Sequence, residues 1–268
     1  MNSSDEEIPY LGTDSQPFPD VNQALSAPNG LLAFGGDLSE TRLINAYRQG
    51  IFPWFDSDEF YVHWWSPNPR AVLFPDELHV SRSMKKLLRQ NKFRVSFDTD
   101  FAGVISLCAS VHSRTGGTWI TQSMQRAYEA LFHKGLAHSV EVRDKNNLLV
   151  GGLYGVSLGR MFFGESMFSV QANTSKVALL TLVRHLHKLN FVCLDCQMMT
   201  NHLKSLGARN IRRKDFVNLL QRSNQHSSII GPWTMDDGAT ANSATAGKGA
   251  TASKGATANK GAVYQSQS

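Results

Sequence analysis

Apolar residues first recur at helical spacing within Glu40–Gln49, where Leu43, Ile44, Ala46 and Tyr47 fall on adjacent turns between a capping Ser39 and a terminating Gly50. Ser81 marks a second helix, Arg82–Gln90, and a third over Gln122–Lys134 stops at Gly135. The period then changes. Ala137–Arg143 alternates as a strand into the turn Asp144–Asn147, and Leu148–Ser157 is its hairpin partner. Gly151, Gly152 and Gly155 interrupt that partner, which predicts a bulge or a close approach to the backbone. Further strands are predicted at Phe93–Phe97 and Arg160–Phe163, the latter running into a polar loop. A long amphipathic helix over Asn173–Leu189 leads to the apolar strand Phe191–Asp195 and a short helix near Met199–Leu206. Antiparallel strands followed by a strand–helix–strand crossover predict a mixed sheet in an α+β chain.

Between the first two helices, Ile51-Phe-Pro-Trp-Phe55 through Trp64-Trp-Ser-Pro-Asn-Pro69 reads as a rigid loop region, dense in proline and aromatic rings. At the other end, Gly249-Ala-Thr-Ala-Ser-Lys254 repeats as Gly255-Ala-Thr-Ala-Asn-Lys260. Such a repeat buries too little to offset its ordering entropy. The expected division is an N-terminal domain over 1–72, a catalytic domain over 73–237 and a disordered tail over 238–268.

With 41% apolar and 10% aromatic residues in 268, wholly disordered and fibrous chains are excluded. Three cysteines and an N-terminus without basic and apolar regions predict a reduced, cytoplasmic protein, and no apolar run approaches the ~20 residues of a membrane span. Charge is unevenly spread. Residues 1–60 hold 2 basic and 10 acidic side chains, whereas residues 61–237 hold 22 and 12. A basic body suits a polyanion, although solvated charge alone also produces such counts. Arg82, Lys85, Lys86, Arg89, Lys92 and Arg94 form a run without an acid.

Cys193 and Cys196 are three apart, so on one strand they point to opposite faces and share neither a metal nor a disulfide unless the strand ends between them. The same period puts Asp195 and Gln197 on one face at the strand's C-terminal end, where open sheets place ligands. Asp195 either orients a protonated amine there or caps the next helix. Glu165, in Phe162-Phe-Gly-Glu-Ser-Met-Phe-Ser169, is either a buried structural group or an acid facing a cationic substrate. Leu153, Phe162, Phe163, Met167 and Phe168 are either core or the walls of an apolar pocket. Trp54, Trp64, Trp65 and Trp119 lie in Pro-rich or Gly-rich contexts that suit stacking on a nucleobase.

Taken together, these blocks resemble the bacterial leucyl/phenylalanyl-tRNA–protein transferases. The likeness runs through Pro28-Asn-Gly-Leu-Leu-Ala33, Gly35-Gly-Asp-Leu-Ser39, Gly50-Ile-Phe-Pro-Trp-Phe55, Trp64-Trp-Ser-Pro67, Pro69-Arg-Ala-Val72, Ser81-Arg-Ser-Met84, Gly117-Thr-Trp-Ile-Thr121, Val150-Gly-Gly152, Gly164-Glu-Ser-Met-Phe-Ser169 and Asp195-Cys-Gln197. It implies a small N-terminal domain and a C-terminal domain similar to the acyl-CoA N-acyltransferases, acting without CoA. Val170-Gln-Ala-Asn-Thr-Ser-Lys176 indeed lacks the glycine turn by which that fold holds pyrophosphate. The resemblance further implies transfer of leucine, phenylalanine or, less readily, methionine from tRNA to an N-terminal arginine or lysine, marking the acceptor for degradation. It puts Trp54 and Trp119 around the terminal adenosine, and Leu153, Phe162, Met167 and Ser169 at the substrate. Glu165, Asp195 and Gln197 become the polar active-site residues, while the basic run by itself, with the tryptophans, offers Arg82, Lys85, Lys86 and Arg89 as tRNA contacts. Leu153 stands where some members carry methionine. No metal, other cofactor or membrane is implied, and the expected state is a monomer. The competing readings are a CoA-dependent N-acyltransferase and a tRNA-binding module without catalysis.

Overall fold

The computed structural model describes residues 8–12, 16–113 and 118–235. Strands β1 (Tyr10–Leu11) and β2 (Leu31–Gly35) pair in parallel and start a small sheet. Helix α1 (Glu40–Arg48) follows because Ser39 Oγ accepts the Arg42 N–H, satisfying one of the free donors of the first turn. Its Leu43, Ala46 and Tyr47 side chains are fully buried. Strands β3 (Phe52–Pro53) and β4 (His63–Trp65) complete the sheet in the order β1-β2-β4-β3. The expected rigid loop therefore contributes two strands. Pro53 is tolerated because β3 is an edge strand, and Trp64 is not a stacking platform but core, its indole N–H donating to the Gly35 carbonyl at 2.9 Å.

The larger sheet begins with β5 (Arg70–Leu73), so the boundary expected at 72/73 falls inside a strand. After it come α2 (Arg82–Arg89), β6 (Arg94–Phe97), α3 (Phe101–Ser113), α4 (Gln122–His133), β7 (Ala137–Arg143) and β8 (Leu149–Leu158). Then follow β9 (Met161–Ser169), α5 (Thr174–Lys188), β10 (Cys193–Gln197), α6 (Asn201–Ser205), β11 (Arg209–Ile211) and α7 (Arg213–Ser223). The order is β11-β5-β10-β9-β8-β7-β6, antiparallel throughout except for β9 and β10, which the α5 crossover makes parallel. The fold is a mixed α/β arrangement of two mixed sheets.

Strand β9 does not give way to a polar loop after Phe163. It continues through Glu165 to Ser169, paired with β8 across a bulge at Tyr154/Gly155. A side chain at Gly155 would come within 2.2 Å of the Phe163 carbonyl, which is why the chain needs glycine there. Helix α3, which sequence periodicity did not predict, is apolar and lays Phe101, Val104, Ile105 and Cys108 against the sheet. Tyr47 and Trp64 from the small sheet's region share one buried cluster with Tyr154 and Phe163 from the large one. A second cluster, on the α5 face, joins Leu179, Leu182 and Leu186 to Phe162 and Trp233. No helix among the described residues is long and apolar enough to cross a membrane. The expected disordered tail lies outside the described residues.

Candidate active site

Asp195 on β10 is completely buried and takes both prongs of Arg70 from neighbouring β5, Nε donating to Oδ1 at 2.8 Å and Nη2 to Oδ2 at 2.6 Å. Arg70 also donates to the Gly50 carbonyl at 3.2 Å and lies against the Phe52 and Phe216 rings at 4.8 and 4.7 Å. Past Asp195 the pairing register shifts, and Gln197 adopts a left-handed backbone at φ 60° with its N–H donating to Asp195 Oδ1 at 2.9 Å. Sequence periodicity expected Asp195 and Gln197 to meet as side chains on one face. They meet instead through a backbone amide, because the strand kinks between them. The Gln197 side chain points its Nε2 to Glu165, 3.3 Å from Oε1.

Glu165 is buried at 9% exposure and also accepts the phenol of Tyr47, on α1, and that of Tyr128, on α4, each at 2.8 Å. Burial raises its carboxyl to about 7, an effect that the two phenolic donors and Arg70 oppose and the Asp195 charge reinforces. Such a carboxyl exchanges a proton near neutrality.

An apolar cavity of about 270 Å³ opens at this end of β10. Leu153, Met167, Leu179, Leu182, Leu194 and Leu203 wall it, and Trp119, Glu165 and Gln197 stand at its polar side. A smaller space of about 150 Å³ adjoins it, lined by Trp54, Trp119, Glu165, Gln197 and Met198. The structure thus brings Trp54, Trp119, Leu153, Met167, Glu165, Asp195 and Gln197 to one place. Two expected substrate residues lie elsewhere. Phe162 is fully buried against Trp233, with ring centroids 5.8 Å apart, and Ser169 is exposed, its hydroxyl donating to the Gln171 carbonyl at 2.7 Å. Phe162 shares the α5 face with Leu153 and Met167 but is packed further along the sheet under Trp233, and Ser169 stands at the strand's very end, beyond Met167.

Arg82, Lys85, Lys86 and Arg89 are all exposed, and their spacing of three and four sets them along one side of α2, while Met84 is buried. Cys193 and Cys196 are free thiols, both pushed up by burial and by the Asp195 charge.

Residues 72–221 match the family described as leucyl/phenylalanyl-tRNA protein transferase, and residues 36–68 match its N-terminal domain. A leucyl/phenylalanyl-tRNA–protein transferase of Pseudomonas putida (strain W619) is 57% identical over 213 residues, 80% of this chain and 93% of that protein. Its counterpart in Azotobacter vinelandii (strain DJ) is 58% identical over 210 residues, 78% and 92%. This chain belongs to that family. Both family matches stop short of Arg70, which falls between them and anchors Asp195.

Tyr47, Tyr128 and Arg70 are site residues that sequence reasoning missed. The spacing of α1 assigns Tyr47 to its apolar side, where the ring does pack, and says nothing of the hydroxyl. For Arg70 a signal existed: a guanidinium inside Pro69-Arg-Ala-Val72, beside apolar strand residues, requires a buried acid.

Proposed function

We propose that this chain makes a peptide bond between the leucyl, phenylalanyl or, less readily, methionyl group of an aminoacyl-tRNA and the N-terminal arginine or lysine of an acceptor protein, marking it for degradation. The observation that carries the reading is an apolar slot ending at a buried carboxylate and an amide, with two tryptophans at its polar edge. The slot suits an aliphatic or aromatic side chain that is unbranched at Cβ. Trp54 and Trp119 stack on the terminal adenosine, worth roughly 1–3 kcal/mol for a stacked base. The aminoacyl ester is already activated, so amide formation requires positioning and charge stabilisation and no nucleotide triphosphate. Glu165 attracts the cationic chain end. Gln197, its Nε2 held by Glu165, turns its Oε1 toward the attacking amine. Asp195 acts as a positioning residue, since its oxygens are engaged by Arg70 and the Gln197 N–H.

A CoA-dependent enzyme is disfavoured by the start of α5, where Asn173 in a left-handed conformation replaces a glycine-rich phosphate turn. Incubation with labelled leucyl-tRNA and a peptide bearing N-terminal arginine decides the matter: label on the peptide is expected, and its absence with active tRNA ends this reading. Charge reversal at Lys85, Lys86 and Arg89 together is expected to weaken tRNA binding and flatten its dependence on salt, the slope falling by about one for each phosphate that is no longer neutralised. An unchanged slope places the tRNA body elsewhere.

A further inference from the structure

Four oxygens meet behind the polar end of the cavity. Tyr47 Oη lies 2.8 Å from Glu165 Oε1, Tyr128 Oη lies 2.8 Å from Glu165 Oε2, and the two phenol oxygens lie 2.5 Å from each other. Each phenol supplies one proton. With Glu165 ionised, both phenols donate to the carboxylate, and the two phenol oxygens face each other with no proton between them. A third proton, on Glu165, gives every contact one donor and one acceptor. The bonds then run as a closed ring from the carboxyl to one tyrosine, on to the other, and back to the second carboxyl oxygen.

We infer that this ring is the proton acceptor of the reaction, Glu165 taking a proton from the incoming α-ammonium group while Tyr47 and Tyr128 act as positioning residues that close the ring around it. The inference rests on the reading above, in which a cationic chain end attacks an aminoacyl ester. The ammonium N–H bond breaks and its proton moves to a Glu165 oxygen, leaving a neutral amine. The amine nitrogen attacks the ester carbonyl carbon, the new C–N bond forms, and the bond to the ribose oxygen breaks. The departing oxygen takes the second amine proton and leaves as a hydroxyl. Glu165 then returns its proton to water, so the sum is ammonium plus ester giving amide, alcohol and one proton.

The surroundings favour this role. Glu165 lines both cavity spaces, whereas Tyr47 and Tyr128 are fully buried, and burial together with the Glu165 charge pushes their phenols well above the ordinary range. The phenols therefore stay protonated and Glu165 is the member that titrates. The groups facing it are Tyr47 from α1, Tyr128 from α4, Tyr154 from β8, Asp195 and the neutral Gln197 from β10, and Arg70 from β5. Cys108, on α3, stands behind Tyr154.

The test is the pH profile of leucine transfer to an Arg-peptide for wild type, Tyr47→Phe and Tyr128→Phe. Either substitution removes a donor to the ionised carboxylate, so Glu165 loses its proton at higher pH. The acidic limb is expected to move up by about one pH unit, lowering kcat about tenfold on that limb, with recovery toward wild type near pH 9 and an unchanged KM for leucyl-tRNA. A uniform loss at every pH with the limb in place overturns the inference. Infrared titration of the resting wild type provides a second readout that needs no tyrosine variant to fold. The carboxyl C=O band that Glu165→Gln abolishes is expected to persist at pH 5 and vanish near neutrality, and a band already absent at pH 5 overturns the ring. Failure of wild type to transfer leucine at any pH removes the proposed function and the ring together, whereas transfer with an unmoved limb removes the ring alone.

Discussion

Glu165→Gln is expected to yield a protein that is nearly inert yet more stable than wild type at pH 8. The carboxyl titrates at about 7 in the folded chain against an ordinary 4.5, so the native state holds its proton through a window in which the unfolded chain has already lost it. Folding therefore loses stability as pH rises across that window, by about 3 kcal/mol once it is passed. Glutamine carries no charge, and its amide supplies both a donor and an acceptor to the two tyrosines. Relative to wild type, the melting temperature of the variant should rise by about 6–12 °C at pH 8. The gap should close at pH 4.5, where wild type is protonated as well. Transfer activity should fall by about 10²–10⁴-fold, the usual contribution of a positioned proton acceptor. Calorimetry at the two pH values checks the stability half, and a wild type as stable as the variant at pH 8 would mean that Glu165 is ionised without cost.

Asp195→Ala should act in the opposite sense. Arg70 is 1% exposed, and without the carboxylate its guanidinium becomes an unpaired buried cation. Breaking a buried pair from one side costs about 3–5 kcal/mol, a fall in melting temperature of roughly 6–20 °C. The Gln197 N–H is also deprived of its acceptor, which frees the left-handed kink that aims the Gln197 amide. The double variant Arg70→Met with Asp195→Leu separates the two effects, because well-packed apolar replacements of a buried pair are often neutral. It should regain most of the stability and none of the activity. Recovery of transfer in the double variant would show that Asp195 serves packing alone.

These expectations depend on pairings that were only partly legible in the sequence. Local signals placed α1, α2, α4 and α5 well, since Ser39 and Ser81 do accept first-turn amides, Gly135 does follow the end of α4 and the apolar spacing was regular. The β7–β8 hairpin was equally clear from its alternation and turn. The small sheet was not, because its strands are two to five residues long and are held by burial of Trp64 rather than by any local preference. Glu165, Asp195 and Gln197 were legible as candidates. Their geometry was not: the kink after Asp195 breaks the period on which the shared-face reading relied, and the partners Tyr47, Tyr128 and Arg70 lie 118, 37 and 125 positions away from the acids they hold. Long-range pairings of that kind leave no periodic trace.

Strand β5 carries the chain from one sheet to the other, and everything before it supplies a particular half of the site. Trp54 and Tyr47 come from that first segment, whereas Leu153, Met167, Leu179 and Leu182 come from the second. The apolar walls and the acids and amide at their polar end are therefore all written after β5, and the stretch before it adds the Trp54 ring and the Tyr47 hydroxyl to them. A chimera joined at β5 is expected to take its side-chain preference from the parent of the second stretch, with Tyr47 to Glu165 and Arg70 to Asp195 as the couplings that such a graft must keep intact.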